Sequence, residues 1–189
     1  MKPVRTVLVL LLAAALALSA CTSNSAGKGT YEFNGATTLG KLIPAAQRKP
    51  AENFDGSLLS GGTYKLSHDD GKVTVVNFWG SWCGPCTVET PQFGLVYDKY
   101  KSKDVAFVGI DIKEADRSLP RAFVAEHHID YPIVYDDRGE TALRLGNIRT
   151  QAVPFTVLLD KQHRVAAVYV VRLGAADLEP MLNKLIAEK

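Results

Sequence analysis

The chain has little of what usually cross-links or metallates a small protein. Three cysteines among 189 residues are too few for a disulfide framework. Four histidines, with no second Cys or His pair at ligand spacing beside Cys83 and Cys86, leave no complete zinc set. Charge of one sign is also missing. Twenty-two basic residues against 20 acidic ones give a net charge of +2, with no basic footprint for nucleic acid. Internal repeats and low-complexity blocks are absent. The one long apolar run, Val7 to Leu18, is too short for a comfortable bilayer span.

That run follows Lys2 and Arg5 and precedes Ser19-Ala20. A positive segment, a short apolar core and small residues predict a signal peptide over residues 1–20, and hence an exported chain. Leu18-Ser19-Ala20-Cys21 resembles the lipobox of bacterial lipoproteins. That resemblance implies acylation of Cys21 and a location at the extracytoplasmic face of the cell membrane; the alternative is an ordinary secretory signal with an incidental cysteine. Residues 21–50, rich in Ser, Asn, Gly, Lys and Thr, are expected to form a lipid-anchored linker, with a short peripheral strand at Thr30–Phe33. The folded domain is expected over residues 51–189.

Within that domain, strand and helix patterns alternate. Leu58, Tyr64 and Leu66, interrupted by Gly61-Gly62, suggest a hairpin. Val73–Phe78 is an apolar, β-branched run of the kind buried on both faces of a sheet. Phe93, Tyr97 and Tyr100 repeat at helical spacing, which predicts a helix from about Gly84 to Tyr100 with a kink at Pro91. Val105–Asp111 is a second strand, Ser118 and Pro120 open a helix, and Tyr131–Tyr135 is a third strand. A short helix at Glu140–Leu145 follows. Phe155–Leu159 and Arg164–Val170 flank a turn, and Leu178, Met181, Leu182, Leu185 and Ile186 share one face of a last helix for which Asp177 is a candidate N-cap. The fold class is α/β, a sheet with helices on both faces.

Cys83 and Cys86 stand between the first of these strands and its helix. A cysteine where a helix begins meets unpaired N–H groups and the positive end of the helix dipole, both of which favour thiolate. An ordinary thiol with a pKa near 8.5 is about 3% ionised at pH 7, and lowering it by about 1.5 units ionises half of it. Cys83 is therefore the candidate nucleophile, and Cys86, one turn inside, the resolving thiol. A structural disulfide closing so small a ring would constrain little of the unfolded chain. Trp79 reads as core, and Trp82, next to the nucleophile, as docking surface. His127-His128 reads as a solvated helix end, and His68 and His163 carry no assignment.

Trp82-Cys83-Gly84-Pro85-Cys86 matches the active-site motif of the thioredoxin superfamily. The longer stretch "NFWGSWCGPCTVETP", Asn77–Pro91, resembles the TlpA/ResA branch of extracytoplasmic thiol-disulfide oxidoreductases. The resemblance implies a thioredoxin-like fold, a central mixed sheet with the strand-helix insertion of that branch between Val105 and Tyr135. It also implies a redox-active Cys83-Cys86 disulfide with no other cofactor. Val153-Pro154 falls where the family places a cis-proline beside the cysteines. Base rates favour a trans bond, whereas the resemblance implies a cis one that aligns a substrate segment.

Asn77 stands where thioredoxin has a buried Asp. On residues alone, Glu89 is as readily a first-turn glutamate complementing the helix dipole; the resemblance assigns it to managing the proton of Cys86. The implied function is disulfide exchange with exported protein thiols, as a reductant for apocytochrome c supplied with electrons by a membrane carrier of the CcdA type. An oxidant of secreted proteins is the alternative. A peroxiredoxin-like peroxidase would require Thr or Ser where Gly80 stands, and a non-enzymatic binding module would not depend on Cys83.

Overall fold

A computed structural model describes residues 29–149 and 152–188. The expected signal peptide and Cys21 lie outside the described residues. The elements are β1 (Asp55–Ser57), β2 (Thr63–Lys65), β3 (Val73–Trp79), α1 (Gly84–Tyr100), β4 (Val105–Ile112), α2 (Ser118–Glu126), β5 (Ile133–Asp136), α3 (Thr141–Gly146), β6 (Phe155–Leu159), β7 (Val165–Tyr169) and α4 (Ala175–Ala187).

Five strands form one mixed sheet in the order β5-β4-β3-β6-β7. The β3-β4 and β4-β5 pairs are parallel, and β3-β6 and β6-β7 antiparallel. β3 and β4 are buried at every position, as the unbroken apolar runs predict for strands covered on both faces. One face packs against Phe93, Val96 and Tyr100 of α1 and Leu178, Leu182 and Leu185 of α4, with Phe123 and Val124 of α2 at its margin. The other is covered by α3, by Phe54, by Tyr64 of the β1-β2 hairpin, and by Tyr31. Helices thus lie on both faces of a thioredoxin-like sheet, three on one and a single short helix on the other. α2 and β5 follow β4 where the strand-helix insertion is expected, with β5 at the sheet edge.

Several boundaries differ from expectation for local reasons. The hairpin pairs Asp55–Ser57 with Thr63–Lys65, turning through Gly61 and Gly62, both at positive φ where glycine is unstrained. β5 begins at Ile133 because Pro132 has no N–H for a ladder. α1 runs unbroken through Pro91. Asp177 is not the N-cap of α4. Gly174 caps the helix, and the Asp177 carboxylate, one turn inside, accepts the Gly174 N–H at 2.8 Å.

The linker expectation needs the larger correction. Thr30–Phe33 forms no strand, yet from Tyr31 onward the segment is fastened to the domain. The Tyr31 amide donates to the Pro50 carbonyl and the Phe33 amide to that of Gly146. Thr37 N–H bonds Val168, Ile43 N–H bonds Ala166, and Val165 N–H bonds Lys49. Residues 37–50 therefore run along β7 and satisfy the backbone groups of that edge. Arg48 completes the attachment by donating to Asp160 and Glu188. Periodicity does not reveal this, because the segment binds through backbone pairing and through scattered side chains, Tyr31, Leu42 and Ile43 among them, rather than through one regularly spaced apolar face.

Candidate active site

The chain leaves β3 at Trp79, turns through Gly80-Ser81-Trp82, and enters α1 with Cys83 as N-cap. Pro85 suits the first turn of that helix, where its missing N–H costs nothing. The Cys83 amide donates to the Gly80 carbonyl at 3.1 Å. The Cys86 amide reaches both the Cys83 carbonyl at 2.9 Å and the Cys83 Sγ at 3.3 Å. The two cysteines are joined as a disulfide, with Cα atoms 5.2 Å apart. Cys83 retains 5% exposure and Cys86 none, so an attacking thiol can reach only the Cys83 sulfur. After reduction, the N–H donor at Sγ and the helix terminus both favour a thiolate there.

Trp82 is 52% exposed, and its indole N–H donates to the Ile112 carbonyl at 3.1 Å. The ring crosses Gly80 so closely that a Cβ there would lie 2.6 Å from the indole nitrogen. Gly80, which counts against a peroxiredoxin motif, is thus also required sterically. Pairing of Phe78 with Phe155 brings the start of β6 to the end of β3 from which the cysteine turn departs. This places Val153-Pro154 at the cysteine end of the sheet despite the distance in sequence. The Val153-Pro154 peptide is cis, as the resemblance implies against the base rate. Pro154 is buried, and half-buried Val153 packs against the side-chain cluster that contains both cysteines.

Glu89, three residues past Cys86 on the same face of α1, has no exposure at all. Its Oε1 accepts Asn77 Nδ2 at 2.7 Å, and its Oε2 accepts the Leu173 amide. Burial pushes its pKa from 4.5 to about 7, against the opposing pull of the Leu173 amide, Asn77 and the Arg172 charge. A carboxyl half ionised near neutral pH suits both taking and returning a proton. Asn77 does more than replace an acid. Its amide also donates to Thr156 Oγ1 at 3.2 Å and so ties Glu89 to β6.

Four side chains in this neighbourhood carried no assignment from the sequence. Tyr131 is buried, its hydroxyl without a hydrogen-bond partner; burial, with the Glu89 charge, raises its pKa. Asp111, at the end of β4, is fully buried, and Glu114 accepts the Ser81 amide at 2.5 Å. Arg172 contributes only through its charge. One signal was legible: Asp111 is the single charged residue in the apolar run Val105–Ile112. Among the described residues, no three His, Cys, Asp or Glu side chains converge to hold a metal ion. His127 and His128 are exposed at the end of α2, and Trp79 is core.

Comparison with known proteins places this geometry. The Redoxin family profile matches residues 38–185, starting within the docked segment. A thiol-disulfide oxidoreductase ResA of Bacillus thuringiensis subsp. konkukian is 33% identical over 137 residues, spanning 72% of this chain and 77% of that protein. The ResA of Geobacillus kaustophilus is 28% identical over 181 residues, 96% of this chain and 94% of its own length. Among solved structures, a DsbF homologue from Corynebacterium diphtheriae aligns with a TM-score of 0.78 and 32% identity, over 83% of this chain and 100% of that one. A secreted thiol-disulfide isomerase from Corynebacterium glutamicum aligns at 0.79 and 28%, over 85% and 99%. The chain belongs to the Redoxin family, as a ResA-like thiol-disulfide oxidoreductase with the thioredoxin fold.

Proposed function

We propose that the protein is a lipid-anchored extracytoplasmic reductant that keeps the thiols of exported proteins, apocytochrome c among them, reduced for haem attachment. Cys21 would carry the anchor, and a membrane thiol carrier of the CcdA type would return electrons to the Cys83-Cys86 disulfide. No helix among the described residues is long and apolar enough to cross a membrane. The observation that carries the reading is a completely buried Glu89, held by Asn77 and the Leu173 amide one turn behind the resolving cysteine, in a chain with ResA relatives.

The chemistry follows from that placement. The Cys83 thiolate attacks one sulfur of a substrate disulfide and expels the other as a thiolate, forming a mixed disulfide. Cys86 then attacks Cys83 Sγ, its proton passing to Glu89, and expels the second substrate sulfur. Two electrons have moved to the substrate, and the Cys83-Cys86 disulfide is formed. Trp82, Val153 and the backbone preceding Pro154 supply the surface on which the substrate strand lies.

The second reading, an oxidant or isomerase of secreted proteins, is favoured by the description of the C. glutamicum structural neighbour as a secreted isomerase. Direction depends on which redox form is stabilised, and about 30 mV corresponds to 1.4 kcal/mol. Equilibration of the pair with glutathione or dithiothreitol decides between them. A potential below about −200 mV supports the reductant, and one near that of a strong periplasmic oxidant, about −120 mV, overturns it. Cys83→Ser should abolish reduction of insulin. Cys86→Ser should accumulate a mixed disulfide visible by mass spectrometry.

A further inference from the structure

Beside the cysteine turn, apart from Glu89, lies a pair of acids, Asp111 and Glu114. Asp111 is fully buried, and no donor reaches either of its carboxylate oxygens. The side chain within hydrogen-bonding reach is another carboxyl, that of Glu114, itself 8% exposed. Charging both of two facing carboxyls so far from water is costly. The other charged or titratable groups facing Asp111 are Arg117, at the start of α2, and Tyr135 of β5. Trp79, its cross-strand partner on β3, carries no charge.

The residues at this strand end hold the turn that presents Cys83. Glu114 Oε1 accepts the Ser81 amide, and the Ile112 carbonyl accepts the Trp82 indole N–H. We propose that Asp111 and Glu114 share one proton, and that this dyad fixes the Ser81-Trp82 turn and thereby positions the Cys83 sulfur for disulfide exchange. With the proton in place, Asp111 donates to one Glu114 oxygen and leaves the other for Ser81. The pair then carries a single negative charge, which Arg117 offsets. Once the proton is lost, the two carboxylates repel, and Glu114 is drawn from the Ser81 amide. Burial, reinforced by the Glu114 charge and contact against the pull of Arg117, raises the Asp111 pKa to about 8, so the turn is held at neutral pH and released in mild alkali. Asp111 and Glu114 are positioning residues, because neither has to touch the substrate. The inference rests on disulfide chemistry at Cys83 and not on the direction of electron flow.

The chain has two tryptophans, so Trp82 gives its own indole N–H resonance. In the oxidised protein, the Trp82 indole and Ser81 amide signals should titrate together with a midpoint near pH 8. The titration should persist in a Glu89→Gln background, which removes the buried carboxyl of α1, and vanish in Asp111→Asn. In the reduced protein, Asp111→Ala should slow alkylation of Cys83 at pH 7 by about fivefold, the equivalent of one lost hydrogen bond. Asp111→Asn, which keeps a neutral donor in place, should recover the rate. Wild-type signals flat from pH 6 to 9, a titration that survives Asp111→Asn, or an Asp111→Ala rate equal to wild type would each overturn the dyad. Insulin reduction by the wild-type protein reads the activity separately, so failure of one assay is not mistaken for failure of the other.

Discussion

Asp111 and Asp160 are the same residue, similarly hidden from water at opposite ends of the sheet, and they are shifted in opposite directions. Asp160, 2% exposed, sits beyond β6 at the end remote from the cysteines. Burial alone would raise its pKa, but hydrogen bonds from the Arg164 side chain and amide and from Arg48 outweigh burial and leave it lowered. The Gln162 amide donates to it as well. The same end is closed by His163, whose Nε2 lies 3.0 Å from the Asp69 carbonyl, and by Glu188 on Arg48. Every partner of the Asp160 carboxylate there is a donor. Asp111, with no donor, faces a second acid and is pushed up to about 8. The difference is not depth but what the fold supplies at that depth. One end spends its buried polar groups on fastening the N-terminal segment and α4, whereas the other keeps carboxyls poised beside a disulfide.

Breaking the remote cluster should give the largest stability effect. Asp160→Ala removes the buried acceptor shared by Arg48 and Arg164, leaving Arg48 to Glu188 and the Ile43 carbonyl, and should cost about 3 kcal/mol in denaturant unfolding while leaving insulin reduction at wild-type rate. The Asp160 pKa lies below its ordinary value when folded, so its contribution is complete above about pH 4 and disappears as pH falls through the folded value. Acid unfolding should therefore shift upward if Asp160 is paired as described. An unaltered acid transition in Asp160→Asn would contradict that pairing.

The cysteine end should respond with the opposite sign. The folded pKa of Glu89 is raised to about 7, so the neutral acid favours the fold below about 4.5 and that advantage is lost as pH rises through 7. Glu89→Gln should then stabilise the protein at pH 8 by on the order of 2 kcal/mol, with the gain fading below pH 5. The same variant should slow release of a mixed disulfide by about tenfold to a hundredfold and flatten its pH profile. A variant that is destabilised at pH 8 would show that Glu89 serves the fold rather than the chemistry.

The smallest effect tests the contact between turn and ring. Gly80→Ala should displace the Trp82 indole, increase its solvent quenching, and lower stability by about 1 kcal/mol. Unchanged Trp82 fluorescence would mean that the ring does not depend on the space above Gly80.

The cysteine motif, the alternation of strands and helices and the burial of Val73–Phe78 were legible because each is a local pattern: two thiols at a helix start, apolar periods of 2 and 3.6, an unbroken β-branched run. Glu89 was legible in position, through its one-turn spacing from Cys86. The role proposed for it came from family resemblance, since a glutamate near a helix start has an equally good explanation in the dipole. The cis state of Val153-Pro154 was likewise an implication of resemblance. The docking of residues 31–50 was missed because backbone pairing to a sheet edge leaves no periodic trace, and the cap of α4 was placed one turn too late, at Asp177 rather than Gly174, because a cap is defined by backbone geometry.

By itself, then, the sequence determined that a nucleophilic sulfur would begin a helix after a buried strand, because local spacing and propensity fix that much. Only the tertiary structure decided which carboxyls have donors and which face another acid. Asn77, Glu89 and Leu173, like Ser81, Asp111 and Glu114, meet through strand pairing and helix packing between distant segments. A pKa, and with it a chemical role, depends on those neighbours in space.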